Sequence, residues 1–459
     1  MSTADSHSAS RMGTAPMGPL LFSLALPMMV SMLFQALYNV VDSIFVAKYN
    51  ADALTAVSLA FPVQTLMIAL SVGLGVGINS LISRRLGEHN HEAAINGAWA
   101  GLLMEFIGFV LFALFGAIFS RAFFTWFTTD EQLIELGQQY LSVVTIYSLG
   151  LFLSISFERM LQSTGNTVYS MVMQLTGAIV NIILDPIMIF GLLGCPAMGI
   201  SGAAIATVIG QFCGLGVGIV CNQLKNRELR LSLHGFRIHP RAVKDILAVG
   251  FPSMIMQSIS SVLTVLMNMI LIAYGNVAVS VLGVYFKLQS FVFMPVFGLN
   301  NGLVAIVGYN FGARLRQRVY EAIRVALIYA VIIMAVGTVL FLVCPEFLLS
   351  LFEAEGESAG ELTAIGVPAL RTICTHFVIA AIGITLSTVF QAIGKGFYSL
   401  LMSLMRQLIV LLPVAWILSE LGGLSAIWWS FPIAEIVSLT LCLILFRRVD
   451  RDILKPLGD

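Results

Sequence analysis

Residues 168–192, VYSMVMQLTGAIVNIILDPIMIFGL, hold one charged side chain, Asp185, in 25 positions. About 20 mostly apolar residues cross the hydrocarbon layer of a bilayer, so a run this long and apolar is a membrane-spanning helix. Inside it, Asn181-Ile182-Ile183-Leu184-Asp185-Pro186 sets an amide and a carboxylate four residues apart, on one helix face, beside a proline of the kind that breaks helices. Reading outward in the same way gives twelve spans, at roughly 20–46, 53–82, 94–120, 136–158, 168–192, 200–222, 245–273, 278–308, 320–343, 364–390, 397–418 and 424–446. A content of 58% hydrophobic and 10% charged residues, with a mean hydropathy of +0.95, excludes a set of soluble domains. Continuous apolar runs also exclude the alternating ten-residue segments of an outer-membrane barrel, so the fold is all-α. Residues 1–19 are polar with one basic residue, Arg11, and the run after them is too long for a signal-peptide core; no cleaved signal is expected.

Net charge is zero, but the 24 Lys and Arg are unevenly spread. With the N-terminus inside, 19 fall in or beside cytoplasmic segments, three outside (Lys48, Arg121, Arg371) and two within spans (Lys287, Arg406). This asymmetry predicts a multi-pass protein of the cell (inner) membrane with both termini cytoplasmic. Basic clusters at Arg84 and Arg85, Lys225 to Lys244, Arg314 to Arg318 and Arg447 to Lys455 sit just inside helix ends, which fits topology and anionic lipid and not nucleic acid. Six cysteines form no Cys-x-x-Cys and read as small apolar residues. Neither a Walker A sequence nor His-Glu-x-x-His nor Gly-x-Ser-x-Gly occurs, so no enzyme is expected, no cofactor is required, and energy must come from an ion gradient.

The sequence repeats. An offset of 225 matches Pro27 with Pro252, Tyr49 with Tyr274, Gln64 with Gln289, Gly77 with Gly302 and Gly87 with Gly312; an offset of 229 matches Gln162-x-x-Gly165 with Gln391-x-x-Gly394 and Tyr169-Ser170 with Tyr398-Ser399. Because six spans are an even number, the halves enter from the same side and form parallel repeats about an axis along the membrane normal. The expected organisation is a cytoplasmic tail, 1–19; an N-lobe of helices 1–6, 20–222; a basic cytoplasmic linker, 223–242; a C-lobe of helices 7–12, 243–446; and a cytoplasmic tail, 447–459. Two equivalent bundles can rock about a shared cavity, the motion of alternating-access transporters; channels and membrane enzymes do not need the duplication.

The halves differ in one respect. Asp42 falls opposite Met267, Asn181 opposite Val410 and Asp185 opposite Val414, so the carboxylates belong to the first half alone. Asp42 continues a stripe of Ser31, Gln35 and Asn39 at helical spacing. A charge near the bilayer centre costs at least about 2.5–3.5 kcal/mol, which makes Asp42 and Asp185 candidates for function. The plainer alternatives are that Asp185 satisfies backbone freed by Pro186 and that Asp42, near a helix end, is solvated. Gln35, Tyr38, Asn39 and Tyr147 are the candidate cavity residues. Glu105, Lys287, His376, Arg406 and Glu435 also lie in spans, where pairing of a base with an acid competes with a cavity role. Gly73-x-Gly75-x-Gly77 follows no strand and reads as close helix packing.

Five stretches together resemble the multidrug and toxic compound extrusion (MATE) transporters, within them the DinF/MepA-like branch: Leu37-Tyr38-Asn39-Val40-Val41-Asp42, Asn181 to Pro186, Gly199 to Thr207, Leu303 to Ala313, and Phe390-Gln391-Ala392-Ile393-Gly394-Lys395. The resemblance implies a secondary antiporter that exports small organic, cationic or amphipathic compounds against entry of Na⁺ or H⁺, acting as a monomer in membrane lipid. It also implies that the coupling ion binds Asp42, Asn181, Asp185 and Thr207. A helix 7 acid prominent in the NorM-like branch is missing, since Pro252 to Ser261 contains none. Either coupling ion suits the residues: a buried acid can take up a proton, and a carboxylate, amide and hydroxyl are hard oxygen ligands for Na⁺. The rival is a lipid or polysaccharide-precursor flippase of the same wider fold group, towards whose cationic cavity only Lys287 and Arg406 point.

Overall fold

The computed structural model describes residues 8–49, 51–231, 239–352 and 359–458. The first half contains α1 (Ser8–Thr14), α2 (Met17–Tyr49), α3 (Ala51–Gly87), α4 (His91–Thr125), α5 (Glu131–Ile146), α6 (Leu149–Ser163), α7 (Thr167–Phe190) and α8 (Ile200–Lys225). The second contains α9 (Pro240–Leu271), α10 (Asn276–Gly312), α11 (Arg316–Val343), α12 (Pro345–Ser350), α13 (Ala359–Ile373), α14 (Phe377–Ala392), α15 (Gly396–Leu404), α16 (Leu412–Ile427) and α17 (Ser430–Val449). Among the described residues eleven helices are long and apolar enough to span a membrane, and twelve when α5 and α6 count as one broken span bent by 42°. This is the predicted all-α count. Part of the linker, 232–238, lies outside the described residues.

Local structure departs from the simple reading at four places. Pro186 does not break its helix: α7 runs on to Phe190 and ends at Gly191, whose φ of 74° suits the left-handed cap that glycine supplies. In a packed bundle, neighbours absorb the one backbone bond a proline removes. The fourth span is broken at Tyr147 and Ser148, and at the corresponding place 229 residues later a tight 3-10 turn, Cys374–His376, separates α13 from α14 but leaves them one span, Gly360–Ala392. A π-helical segment, Met405–Leu411, joins α15 to α16, and α16 is kinked at Gly423, whose φ of 65° sets 424–427 off from the helix before it. Finally, the expected polar tail is partly structured. α1 docks on the second half, where Arg318 Nη2 donates to the carbonyls of Met12 and Ala15 (3.1 and 2.7 Å) and Asn310 Nδ2 donates to that of Met12 (2.9 Å).

The halves meet along α2–α10 and α3–α9, and glycines set how closely. A Cβ on Gly73 would lie 2.7 Å from the Met254 nitrogen, and one on Gly298 would lie 2.7 Å from the Met29 nitrogen. Gly298 is Gly73 plus 225 and Met254 is Met29 plus 225, so the repeat makes one contact twice about a pseudo-two-fold axis. Further down, Gly87 lies on the Tyr309 carbonyl and Gly312 on that of Arg84, reciprocal in the same way. The end of the bundle carrying Arg84, Arg85, Arg314 and Arg318, called here the basic end, is closed. Ser80 Oγ donates to the Gln391 carbonyl (2.6 Å) and Arg85 pairs with Asp245 (3.0 Å), each across the halves.

Candidate functional site

Asn181 and Asp185 face one way on α7 and are 2% and 0% exposed. They are brought to Thr207 because α7 and α8 pack backbone to backbone. A Cβ on Gly210 would lie 2.6 Å from the Gly177 carbonyl oxygen, and one on Gly202 would lie 2.5 Å from that of Met188. The Asn181 amide can be drawn two ways. In one orientation its nitrogen faces Asp185 Oδ1 at 3.4 Å and Thr207 Oγ1 at 3.2 Å, which leaves amide oxygen against carboxylate oxygen. Turned over, the nitrogen donates to Asp185 Oδ2 at 3.0 Å, while the oxygen accepts the Thr207 hydroxyl at 3.2 Å and the Thr207 backbone N–H at 3.1 Å. The second orientation satisfies every partner and is the one the amide takes.

Of the other expected site residues, Asp42 and Asn39 lie on α2, but their side chains fall outside the described residues. α2 itself packs on α7, where Ser170 Oγ–H approaches Met28 Sδ at 3.8 Å, so the helix of the first acid touches the helix of the second. Ser31 is buried with its hydroxyl turned onto the Pro27 carbonyl (3.0 Å), whereas Gln35, one turn on, is exposed. Tyr38 is half-buried, and Tyr147 is 56% exposed at the break between α5 and α6. Met267, opposite Asp42 in the repeat, is fully buried.

The remaining intramembrane polar residues sort clearly. Arg406 and Glu435 approach to 3.8 Å, an acid–base pair within the second half. His376 is 4% exposed, its Nδ1 2.6 Å from the Ile373 carbonyl and its ring stacked on Phe431, as a structural histidine is held. Lys287 sets its ammonium 5.8 Å from the Phe352 ring centre. Gly73 and Gly77 pack on α9 as the glycine spacing predicts, but Gly75 instead makes room for Arg159.

Arg159 is what the sequence reading missed. Near a helix end, it counts as one more cytoplasmic charge, yet it is 6% exposed and its Nη1 donates to Gln162 Oε1 (2.7 Å) and, across the halves, to Asn301 Oδ1 (3.2 Å). Gln162 Nε2 donates in turn to Glu158 Oε1 (2.6 Å) and to Ser170 Oγ (3.2 Å) on α7. The available signal was Gln162 itself, a polar residue repeated in both halves.

The MatE family profile matches residues 27–187 and 252–417, one segment in each half. The chain belongs to the MatE family. Over 414 residues it is 26% identical to the multidrug export protein MepA of Staphylococcus haemolyticus, spanning 90% of this chain and 89% of that one. It is 25% identical over 439 residues to an FAD transporter of Shewanella oneidensis, covering 95% and 96%. A crystal structure of MATE in complex with MaL6 superposes with a TM-score of 0.91 at 26% identity, over 97% of this chain and 99% of the other. The MATE fold with its two six-helix repeats is therefore that of this protein, a multi-pass membrane transporter and not an enzyme.

Proposed function

We propose that this MATE-family protein is a secondary antiporter that expels small organic, cationic or amphipathic compounds as Na⁺ or H⁺ enters, and that Asp42, Asn181, Asp185 and Thr207 bind the coupling ion. The observation that carries the reading is the fully buried Asp185 carboxylate held by an amide that is itself tied to a second helix. A buried carboxylate is tolerated only when neutralised or paired. With its nitrogen toward Asp185, the Asn181 amide partly stabilises the anion. A proton arriving on Asp185 converts the acceptor to a donor and favours the amide turned over, oxygen toward the acid. A Na⁺ asks for the same rotation, since it needs the oxygens of Asn181, Thr207 and Asp185 around it. Either ion therefore breaks the amide's bond to the Thr207 backbone and loosens α7 from α8. Ion occupancy thereby acts on the helix that packs against α2.

Multidrug export by a MepA relative and transport of FAD by another relative support a small organic substrate without fixing its charge. The basic end, in this reading, is cytoplasmic and places both termini in the cytoplasm of a cell whose inner membrane the monomer spans. The test is efflux from proteoliposomes under a Na⁺ gradient and, separately, a pH gradient, with a cationic dye and with FAD as competing cargo. Asp42→Asn and Asp185→Asn should each abolish gradient-driven export with normal expression. Undiminished export in both variants overturns the site.

A further inference from the structure

A second buried acid in the first half stands outside that site. Glu105, on α4, is 0% exposed; its Oε2 accepts the Ser71 hydroxyl from α3 at 2.7 Å, and its Oε1 has no hydrogen-bond partner. The charge that bears on it is Arg159 on α6, whose Nε is likewise buried without a partner while Nη1 holds Gln162 and Asn301. Gly75, one turn from Ser71 on α3, leaves space at this spot: a Cβ there would stand 3.0 Å from Arg159 Cγ and 3.2 Å from Nε. A spare acceptor and a spare donor thus lie in one buried region, kept apart because the guanidinium reaches to the other half.

We propose that Glu105 is a proton-binding residue of this transporter, and that its protonation decides whether Arg159 stays clasped to Asn301 of the second half or turns to the acid. Hydronium gives its proton to Oε1, forming the O–H and releasing water. The neutral acid is tolerable in an apolar interior and makes no claim on Arg159, so the bridge to Asn301 persists and the basic end stays closed. When the proton leaves, a bare buried carboxylate remains, and the cation that satisfies it is Arg159. Turning satisfies both unpartnered atoms at once and removes the inter-half bond. Glu158 bears on the same guanidinium through Gln162 and tempers the pull. Other charged residues on the elements packed against α4 stand toward helix ends: Arg84 and Arg85 on α3, Glu131 and Glu135 on α5, Arg241, Lys244 and Asp245 on α9, and Arg227 and Glu228 in the turn after α8. The mechanism rests on the rocking of the halves, but not on Asp42 or Asp185 as the coupling site.

Hydrogen–deuterium exchange on the full chain in lipid nanodiscs, corrected for intrinsic rates, tests it between pH 5.5 and 8.5, read on peptides covering 298–312 and 246–256. Opening of these segments should rise about ten-fold with pH in the unmodified protein, the scale of one charge-assisted hydrogen bond. Glu105→Gln should hold them at the low-pH level throughout. Asn301→Ala should raise opening about ten-fold at low pH. Asp185→Asn should keep the pH response, which separates this site from the coupling site. An undiminished pH response in Glu105→Gln overturns the proposal. Should Glu105→Gln not fold, Ser71→Ala decides: loss of the hydroxyl that steadies the anion must move the transition to higher pH, and an unmoved transition refutes the assignment.

Discussion

Gly298→Ala probes what holds the halves together. The new methyl carbon would stand 2.7 Å from both Cα and N of Met29, where an ordinary contact begins at 3.4 Å, so α2 and α10 must part by about 0.7 Å (3.4 − 2.7). The atoms it meets are backbone, so no side-chain rotation relieves the overlap. Forcing a group into packed surroundings costs about 1–3 kcal/mol, which shifts the closed arrangement roughly 5- to 150-fold toward the parted one. Gly283→Ala is the control on the same helix: nothing lies within 4 Å of its Cβ, and alanine improves helix propensity by up to about 1 kcal/mol. Amide exchange of peptides covering 20–30 and 298–312 reads the difference, while α17 reports global unfolding. Gly73→Ala strains the repeat-related contact, and the two together should cost less than their sum, because helices already parted accommodate the second methyl. Equal exchange in Gly298→Ala and Gly283→Ala would refute the view that backbone packing sets the closure.

Thr207→Val keeps the shape of the side chain but removes the hydroxyl on Asn181; the apparent affinity for the coupling ion should fall about ten-fold in proteoliposome flux, with maximal rate less affected. Met267→Ala should lower stability by about 2–5 kcal/mol in a thermal melt through the cavity it leaves, while the ion dependence of transport is retained; selective loss of that dependence would move the site to the second half. Arg406→Gln leaves Glu435 buried without its ion partner and should cost about 1–3 kcal/mol, the lower range because Arg406 is 27% exposed. The double variant with Glu435→Gln should recover part of that loss, and strict additivity in the cycle would show that the pair is not coupled.

Hydropathy made the twelve spans legible because each crossing must be apolar for its whole length, whatever it packs against. The Asn181 and Asp185 pairing was legible for a similar reason, since helical spacing alone fixes which side chains share a face. Thr207 came from family resemblance, because its contact depends on how closely α7 and α8 approach, a distance set by glycine packing such as Gly210 on Gly177 and Gly202 on Met188. Arg159 was unreadable in the opposite sense: a charge at a span border looks like topology, and only the tertiary contact with Asn301 shows that it points inward. The break at Tyr147 and the π-helical turn at Met405–Leu411 carry neither proline nor glycine, and the polar residues there, Ser148, Arg406 and Gln407, are of kinds that unbroken spans also hold. Pro186 misled locally, since the rule that proline ends helices belongs to water and weakens inside a bundle.

Gly73 on Met254 and Gly298 on Met29 amount to a single contact made twice. An interface of this kind is isologous in all but covalent continuity, the kind two copies of one six-helix chain make with each other. Each half therefore carries both the glycine that intrudes and the backbone that receives it. Cutting the chain between 231 and 239 would yield two polypeptides, each equipped to pair with the other or with itself. Joining two partners by a short segment gives effective concentrations on the order of millimolar, which favours pairing within one chain over pairing between chains. The two halves were then free to diverge, and the first alone carries Asp42 and the buried Asp185.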